Sequence, residues 1–343
     1  MNDVIKKLRA VSRFELDDAS AEVLHDLFKD KLVSFKDSVE IYMHRVQFLF
    51  FRHILNDPYL DFEKMFGKQL SAELVFLQKR YEEYINYIEK LVDIFHKHEI
   101  PYAILKGFSI INSLYTSNGV IYRDFGDVDI LVNKSDIDMI SHSLTDMGYI
   151  QGYLDSKYNI HMANRKDIIY WRLNSHQEQQ FIKHSSYSNI SPLICCKVDI
   201  NTTIFEGGKI AVPISTEQLL KNTRPLKINE NLQVSSLSYE LELIQLCYHF
   251  YKDMNYKAQK DFFVNYTLIK FCDIREYIRK YRSTIDWERF ISYINTYEIG
   301  QAIYTTLFLV SLFYGDLEID NILNKIYADK SKFCMQEWDN MLI

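Results

Sequence analysis

The chain begins with a long region in which apolar residues recur every three or four positions. Residues 21–32 and 39–55 show this spacing, and residues 71–96 repeat it over a longer span. Such spacing predicts amphipathic helices that each bury one face. Gly67 and Pro58 are the only strong helix breakers among the first hundred residues. We therefore predict a helical N-terminal region over residues 1–98.

Between residues 99 and 235 the pattern changes to short alternating runs separated by glycines. Alternation of apolar and polar residues is typical of strands, and glycine of turns. Strands are predicted at residues 102–106, 127–132 and 195–204, with weaker candidates at 149–154, 167–173 and 178–183. Helices are predicted at residues 108–117, from an N-cap at Ser135 to Met147, and at 216–222. This region is expected to form a small mixed β-sheet with flanking helices.

From residue 236 onward the helical spacing returns, for example over residues 237–251 and 268–278. We predict a C-terminal helical bundle over residues 236–343, which makes the fold class α+β. The longest apolar stretch, residues 306–314, is too short to span a bilayer and is predicted to be a buried helix.

Composition excludes several classes of function. The formal net charge of −6 over 343 residues argues against a duplex-DNA binder, which needs a broad basic surface. The five cysteines form no C-x-x-C pair, and the N-terminus lacks the apolar core of a signal peptide. We therefore expect a cytoplasmic protein without a membrane segment. The sequence also contains no G-x-G-x-x-G, P-loop, G-x-S-x-G or zinc-binding motif.

Two aspartates alternate along one predicted strand. Asp127 and Asp129 lie two residues apart and so share a face of the sheet. Paired carboxylates repel each other unless a cation lies between them, and their oxygens suit magnesium. About twenty residues upstream, Gly107 opens a predicted helix, whose N-terminus is a ready phosphate site. A metal site beside a phosphate site suggests chemistry on a nucleoside triphosphate (NTP).

These residues resemble the signature of the nucleotidyltransferase superfamily related to DNA polymerase beta. More narrowly, the chain resembles a bacterial family of uncharacterised nucleotidyltransferases, through the pattern L-K-G, Y, R-x-x-G-D-x-D-x-L-V. It departs from the wider pattern at Phe108, where Gly or Ser is usual. The matching positions are Leu105, Lys106, Gly107, Tyr115, Arg123, Gly126, Asp127, Asp129, Leu131 and Val132.

Nucleotidyl transfer requires a third carboxylate, and Asp199 is the candidate. It lies in an apolar strand, where an unpaired charge would be costly. The resembling family has an acidic residue here, followed two positions later by His, which this chain replaces with Asn201. We predict that Asp127 and Asp129 each bind both of two magnesium ions, and that Asp199 binds the catalytic one and accepts the proton of the attacking hydroxyl. The alternatives are a strand-end turn or a pair of solvated surface acids for Asp127 and Asp129, and an edge-strand acid facing water for Asp199.

Four further residues are predicted to bind the triphosphate. Lys106 would contribute a point charge, Arg123 a bidentate grip, Gly107 close approach of the backbone and Ser109 a hydroxyl. Each also has a structural alternative: a solvated strand end, an ion pair, an ordinary turn and a helix cap, respectively. For the remaining candidates a structural role is favoured, namely His161, His176, His184 and His249.

The function expected from these residues and from the resemblance is magnesium-dependent transfer of a nucleoside monophosphate (NMP) from an NTP to a hydroxyl. The acceptor is left open as a small molecule, a peptide or protein, or transfer RNA, and the helical regions are expected to form its cleft. The main alternative is a catalytically silent module of the same fold that binds a nucleotide or a partner. Asp199 discriminates between them, because catalysis requires it beside Asp127 and Asp129.

Overall fold

The computed structural model describes residues 3–28, 35–56, 67–117, 119–157, 159–186, 195–205, 214–255 and 267–326. Its N-terminal part is helical, as the apolar spacing predicts. Residues 29–32 of the first predicted helix lie outside the described residues. The helices are α1 (Asp3–Val11), α2 (Asp18–Phe28), α3 (Phe35–Met43), α4 (Gln47–Asn56) and α5 (Gly67–Lys97).

The prediction of a single helix over residues 39–55 is wrong, because a turn between α3 and α4 interrupts the helix. Arg45 adopts a left-handed backbone with φ of 57°, and the amide of Val46 donates to the carbonyl of Ile41 at 3.1 Å. This closes α3 much as a glycine would. No glycine or proline marks the break, so periodicity alone predicted a continuous helix.

The middle of the chain alternates between strands and helices. In order, it contains β1 (Tyr102–Leu105), α6 (Lys106–Ile110), a π-helical turn (Ile111–Tyr115), β2 (Thr116–Ser117), β3 (Val120–Ile121), β4 (Val128–Val132), a 3₁₀ turn (Lys134–Asp136), α7 (Ile137–Asp146), β5 (Ile150–Leu154), β6 (Ile160–Met162), α8 (Arg165–Asn174), β7 (Phe181–His184), β8 (Cys195–Asn201), α9 (Thr216–Leu220), β9 (Thr223–Lys227) and β10 (Gln233–Leu237). The C-terminal helices are α10 (Tyr239–Asn255), α11 (Leu268–Tyr281), α12 (Trp287–Thr296), α13 (Gly300–Tyr314) and α14 (Asp320–Leu323).

Two local predictions in this region are wrong. Residues 167–173 form most of helix α8 rather than a strand, because the side chain of Asn164 caps the helix by accepting from the amide of Asp167. Ser135 does not cap α7; its hydroxyl donates to Asp136 within the preceding turn. Gly148 does end that helix, with φ of +85°.

An eight-stranded mixed sheet forms the centre, in the order β6-β5-β7-β8-β4-β1-β10-β9. Strand β4 runs parallel to β8 and antiparallel to β1, while β1 runs parallel to β10. All residues of β1 and β4 are buried. This sheet with its helices confirms the α+β class, although it is larger than the small sheet predicted. Strands β9 and β10 were not predicted; Pro225 is tolerated in β9 because that strand lies at the sheet edge.

The chain divides into two compact units. The first combines Met1–Phe76, Val120–Asp124 and Leu246–Ile343, and the second combines Leu77–Gly119 with Phe125–Gln245, including the whole eight-stranded sheet. The first unit therefore draws on both ends of the chain. In it, Arg13 donates to the carbonyl of Tyr314 at 3.2 Å, and Glu276 accepts from the amide of Phe14 at 3.3 Å.

In the second unit, Tyr84 of α5 ties together the beginnings of two central strands. Its ring is fully buried and contacts the ring of Phe125, with centroids 5.1 Å apart. Its hydroxyl donates to the carbonyl of Gly126, just before β4, and accepts from the amide of Lys197 in β8 at 2.6 Å. Because a buried tyrosine hydroxyl needs partners, these hydrogen bonds fix α5 against the N-terminal ends of β4 and β8.

Candidate active site

The second unit brings two of the predicted carboxylates into register. Asp129 of β4 and Asp199 of β8 are direct partners across the parallel strand pair, and neighbouring strands lie about 4.8 Å apart. Their exposed fractions are 5% and 7%. Asp127 immediately precedes β4, is half-buried, and shares the face of Asp129 because it lies two residues away. Asp199, distant in sequence, therefore lies beside Asp129, and the charge of Asp127 acts on it as well.

The electrostatics of Asp199 show that these carboxylates repel each other. Burial first, and then the charges of Asp129 and Asp127, raise the pKa of Asp199 from 3.8 to about 7. The side-chain amide of Gln180 opposes this rise by donating to Oδ1 of Asp199 at 2.8 Å. A carboxyl group that ionises near neutrality can accept a proton from a hydroxyl or release one.

Lys106 brings a positive charge to the cluster. Its Nζ donates to Oδ1 of Asp129 at 3.1 Å. Burial lowers the pKa of Lys106, but the charges of Asp129, Asp127 and Asp199 outweigh burial, so the pKa lies above its usual value. The backbone of Lys106 is left-handed, with φ of 48°, which costs a non-glycine residue about 1–2 kcal/mol. Such strain is typical of functional sites.

Gly107 lies in the first turn of α6, directly after Lys106. The sequence placed the sharp turn at this glycine, but the residue in the left-handed region is Lys106. No side chain caps the start of α6. The predicted phosphate contact of Gly107 therefore stays a prediction. It concerns a helix start that has no capping side-chain hydrogen bond.

Two residues of the cluster escaped the sequence analysis as contributors. Gln180 comes opposite Asp199 because Phe181 of β7 pairs with Val198 of β8. Asn201 lies two residues after Asp199 on the same face, and its Nδ2 donates to Oδ1 of Asp129 at 3.0 Å. The two-residue spacing from Asp199 was the available signal for Asn201, whereas Gln180 depends on long-range strand pairing.

The donor chemistry of the cluster fits a hard divalent cation, which prefers carboxylate and amide oxygens. Besides the three carboxylates, Oδ1 of Asn201 is buried and accepts no hydrogen bond from the described part of the chain. As they stand, however, no three His, Cys, Asp or Glu side chains among the described residues form a group that could hold a metal ion. The oxygen donors thus lie near one another, but their side chains do not converge on a single metal position.

Ser109 lies apart from the carboxylates in a buried network of its own. Its hydroxyl donates to Glu242 of α10 and lies 2.8 Å from the hydroxyl of Ser236 in β10. Glu242 also accepts from Nη2 of Arg224 at 2.6 Å. The network connects α6 to β10 and α10, and so holds the helix that begins at Lys106. The predicted phosphate contact of Ser109 remains untested.

Replacing Ser109 by alanine should lower the free energy of unfolding by about 1–3 kcal/mol, because buried Glu242 loses a donor. Urea unfolding measures this change, and Ser143→Ala on the exposed side of α7 is the control. The affinity for magnesium–NTP should change less than twofold. A tenfold weaker affinity would instead support contact between the hydroxyl and phosphate.

Arg123 belongs to the first unit, where it forms a bidentate pair with Asp273 of α11. Its Nε and Nη2 donate to the two carboxylate oxygens at 2.9 and 2.7 Å, and both side chains are largely buried. The structure thus places Arg123 in an ion pair, the structural alternative to its predicted phosphate role. That phosphate role stays a prediction.

Two of the histidines lie beside aspartates, and the structural role favoured for all four stays a prediction. His161 lies 2.9 Å from Asp155 and stacks on Tyr153, and His249 lies 3.4 Å from Asp253. The carbonyl of His176 accepts from the amide and the hydroxyl of Thr202.

Replacing Lys106 by methionine should lower the free energy of unfolding of the metal-free protein by about 3 kcal/mol. The change removes the cation of a buried ion pair and leaves Asp129 uncompensated. Lys90→Met on the exposed face of α5 is the matched control and should stay within about 0.5 kcal/mol. Equal urea midpoints for the two variants would contradict the role given to Lys106.

Comparison with known proteins gives one match and one negative result. A family model described as "Uncharacterised nucleotidyltransferase" matches residues 41–315. That range contains all seven of the predicted site residues. No curated protein matches the chain. In the described part of the structure, no helix is both long enough and apolar enough to cross a membrane.

Proposed function

Because the chain belongs to the family of uncharacterised nucleotidyltransferases, we propose that it is a magnesium-dependent enzyme that transfers an NMP group from an NTP to a hydroxyl. Membership in the family supports nucleotidyl transfer in general. The observation that carries the finer proposal is the register of Asp129 and Asp199 on adjacent strands, with Asp127 on the same face.

Each side chain of the cluster has a proposed task. Asp127, Asp129 and Asp199 would hold two magnesium ions, with Oδ1 of Asn201 as a further oxygen donor. When bound, the ions would neutralise charge on the triphosphate and the leaving pyrophosphate. Asp199 would also accept the proton of the attacking hydroxyl.

The positive charge and the helix start beside the carboxylates suit the triphosphate. Lys106 would contact its oxygens as a point charge, and the backbone at Gly107 would approach them at the start of α6. Asn201 and Gln180 would orient Asp129 and Asp199 through their amide groups. A cytoplasmic location and a preference against duplex DNA remain proposals, based on the cysteines and on the net charge of −6.

The proposal is tested by incubating the full chain with each labelled NTP and magnesium, together with candidate small molecules, peptides and transfer RNA. Mass spectrometry then detects the added NMP and the released pyrophosphate. We expect at least one NTP to give a product, and chelation by EDTA to abolish it. Product formation that continues unchanged in EDTA would exclude the proposed metal dependence.

The second candidate, a silent nucleotide-binding module, is favoured by one observation. Asp129 already has two donors, Lys106 and Asn201, and the carboxylates are not closed around a metal position. Ligand binding raises the melting temperature by mass action. A magnesium-dependent thermal shift with NTP, in the absence of any product or pyrophosphate, would support this candidate over the enzyme.

A further inference from the structure

Helix α8 presents an unusual surface. None of its residues is buried, although five of its ten are Ile, Tyr, Trp or Leu. The exposed fractions of Leu173 and Tyr170 reach 76% and 65%, and Ile169 and Trp171 are exposed as well. Met162 of β6, three residues before the helix, is similarly exposed. Contiguous exposed apolar residues are typical of interaction sites.

The contacts of Arg172 hold one side of α8 against the rest of its unit. Arg172 donates through Nε to Glu178 at 2.9 Å and through Nη1 to Asp138 at 2.8 Å. With about 3.6 residues per turn, Lys166, Ile169, Tyr170 and Leu173 form one continuous stripe, centred about 110° around the helix from Arg172, and Ile169, Tyr170 and Leu173 are exposed along it. The helix thus turns its apolar residues outward, which reverses the usual amphipathic arrangement.

This outward face is connected to the carboxylate cluster by a short segment. After α8 ends, the carbonyl of His176 accepts from the amide of Thr202 at 2.8 Å, and the amide of Glu178 donates to the carbonyl of Ile200 at 2.9 Å. Two residues later, Gln180 donates to Asp199. The helix therefore stands at the end of the segment that pairs with the strand carrying Asp199.

Two positive charges accompany the apolar face. Arg165 and Lys166 are exposed in the first turn of α8, and neither forms an ion pair within the described ranges. Together with Ile169, Tyr170 and Leu173 they make a surface of apolar and aromatic side chains with unneutralised cations at one end. Protein interfaces favour this combination of aromatic residues and arginine.

We propose that this α8 face (Arg165, Lys166, Ile169, Tyr170 and Leu173) binds the acceptor, a peptide segment of a protein with apolar side chains and neighbouring acidic residues. The inference rests on the proposed function, because it identifies the acceptor of that reaction. Of these five residues only Tyr170 offers a ring on which a nucleotide base could stack, whereas single-strand binders use a row of such rings. Two cations, with Asp167 between Lys166 and the apolar residues in sequence, are also few for a phosphate backbone.

The binding test uses the full chain without NTP and two degenerate 15-residue peptide libraries. In one, leucine or phenylalanine alternates with aspartate or glutamate around a central serine or tyrosine; in the other, lysine and arginine replace the acids. Peptides retained by the immobilised chain are quantified by mass spectrometry. We expect at least tenfold enrichment from the acidic library. The double variant Tyr170→Ser/Leu173→Ser should lose this enrichment, whereas Met139→Ser, which alters another exposed apolar residue on α7, should keep it.

Three results would overturn the proposal. One is equal enrichment by wild type and the double variant. Another is a wild type that sediments as a dimer while the double variant sediments as a monomer, because the face would then bind a second copy of the chain. A third is displacement of the peptides by a single-stranded oligonucleotide that binds wild type but not the variant.

Failure of the proposed function is read separately. Asp129→Asn should retain peptide binding, because the α8 face does not include Asp129. An acidic peptide that binds wild type but is never nucleotidylated by it with NTP and magnesium would count against the catalytic proposal alone. Conversely, a double variant that modifies a peptide as fast as wild type would leave the catalytic proposal standing and exclude the α8 face.

Discussion

Replacing Asp129 by asparagine should lower nucleotidyl transfer about a thousandfold while the protein remains folded. The carboxylate is the predicted ligand of both metal ions, and loss of several kcal/mol of charge stabilisation corresponds to a factor of this size. The fold is expected to persist, because the amide oxygen can still accept from Lys106 and Asn201, as Oδ1 does now.

The measurement is the initial rate of product formation at saturating NTP and magnesium, with the melting temperature recorded in parallel. Asp93→Asn, on the exposed side of α5 in the same unit, is the matched control and should keep full activity. If the Asp129 variant kept more than a tenth of the wild-type rate, the Asp129 carboxylate would not be essential to catalysis.

Replacing Asp199 by asparagine should stabilise the metal-free protein at pH 8, although it abolishes activity. The folded state raises the pKa of Asp199 from 3.8 to about 7, through burial and the charges of Asp129 and Asp127. Below about pH 4 the group is protonated in both states. Between pH 4 and pH 7 the unfolded chain releases the proton that the folded chain keeps, so wild-type stability falls as pH rises through this window.

Above pH 7 wild type carries the full cost of the buried charge, about 4 kcal/mol for a pKa raised from 3.8 to about 7, and the variant does not. The difference in the free energy of unfolding should therefore be small at pH 4, grow up to pH 7 and then remain constant. Urea unfolding in EDTA at several pH values measures it. A variant destabilised equally at every pH would show that Asp199 does not titrate as described.

The sequence was sufficient for the main feature of the site that depends on neighbours along the chain. Alternation placed Asp127 and Asp129 on one face, because the side-chain period of a strand is local. The third carboxylate, Asp199, was chosen from the charge expected in an apolar strand and from the family resemblance. The structure then placed it in register with Asp129, which alternation alone does not determine.

Features that depend on contacts distant in sequence could not be predicted. Gln180 reaches Asp199 only through the pairing of β7 with β8, and the carboxylate that Arg123 grips lies 150 residues away. Strand β9 was hidden by Pro225, which only a sheet edge accommodates. One local feature was missed as well: α8 was predicted as a strand because Ile168 and Ile169 favour strands, although the side chain of Asn164 caps a helix three residues before Asp167.

The first unit combines segments that are far apart along the chain, and this has a consequence for biosynthesis. Arg13 and Phe14 find their partners Tyr314 and Glu276 more than 260 residues later. During translation, the earliest helices therefore leave the ribosome long before the segment that covers them exists. Contacts of such high sequence separation form slowly and leave apolar surface open to aggregation meanwhile. We accordingly expect nascent chains of this protein to depend on chaperones until the last helices emerge.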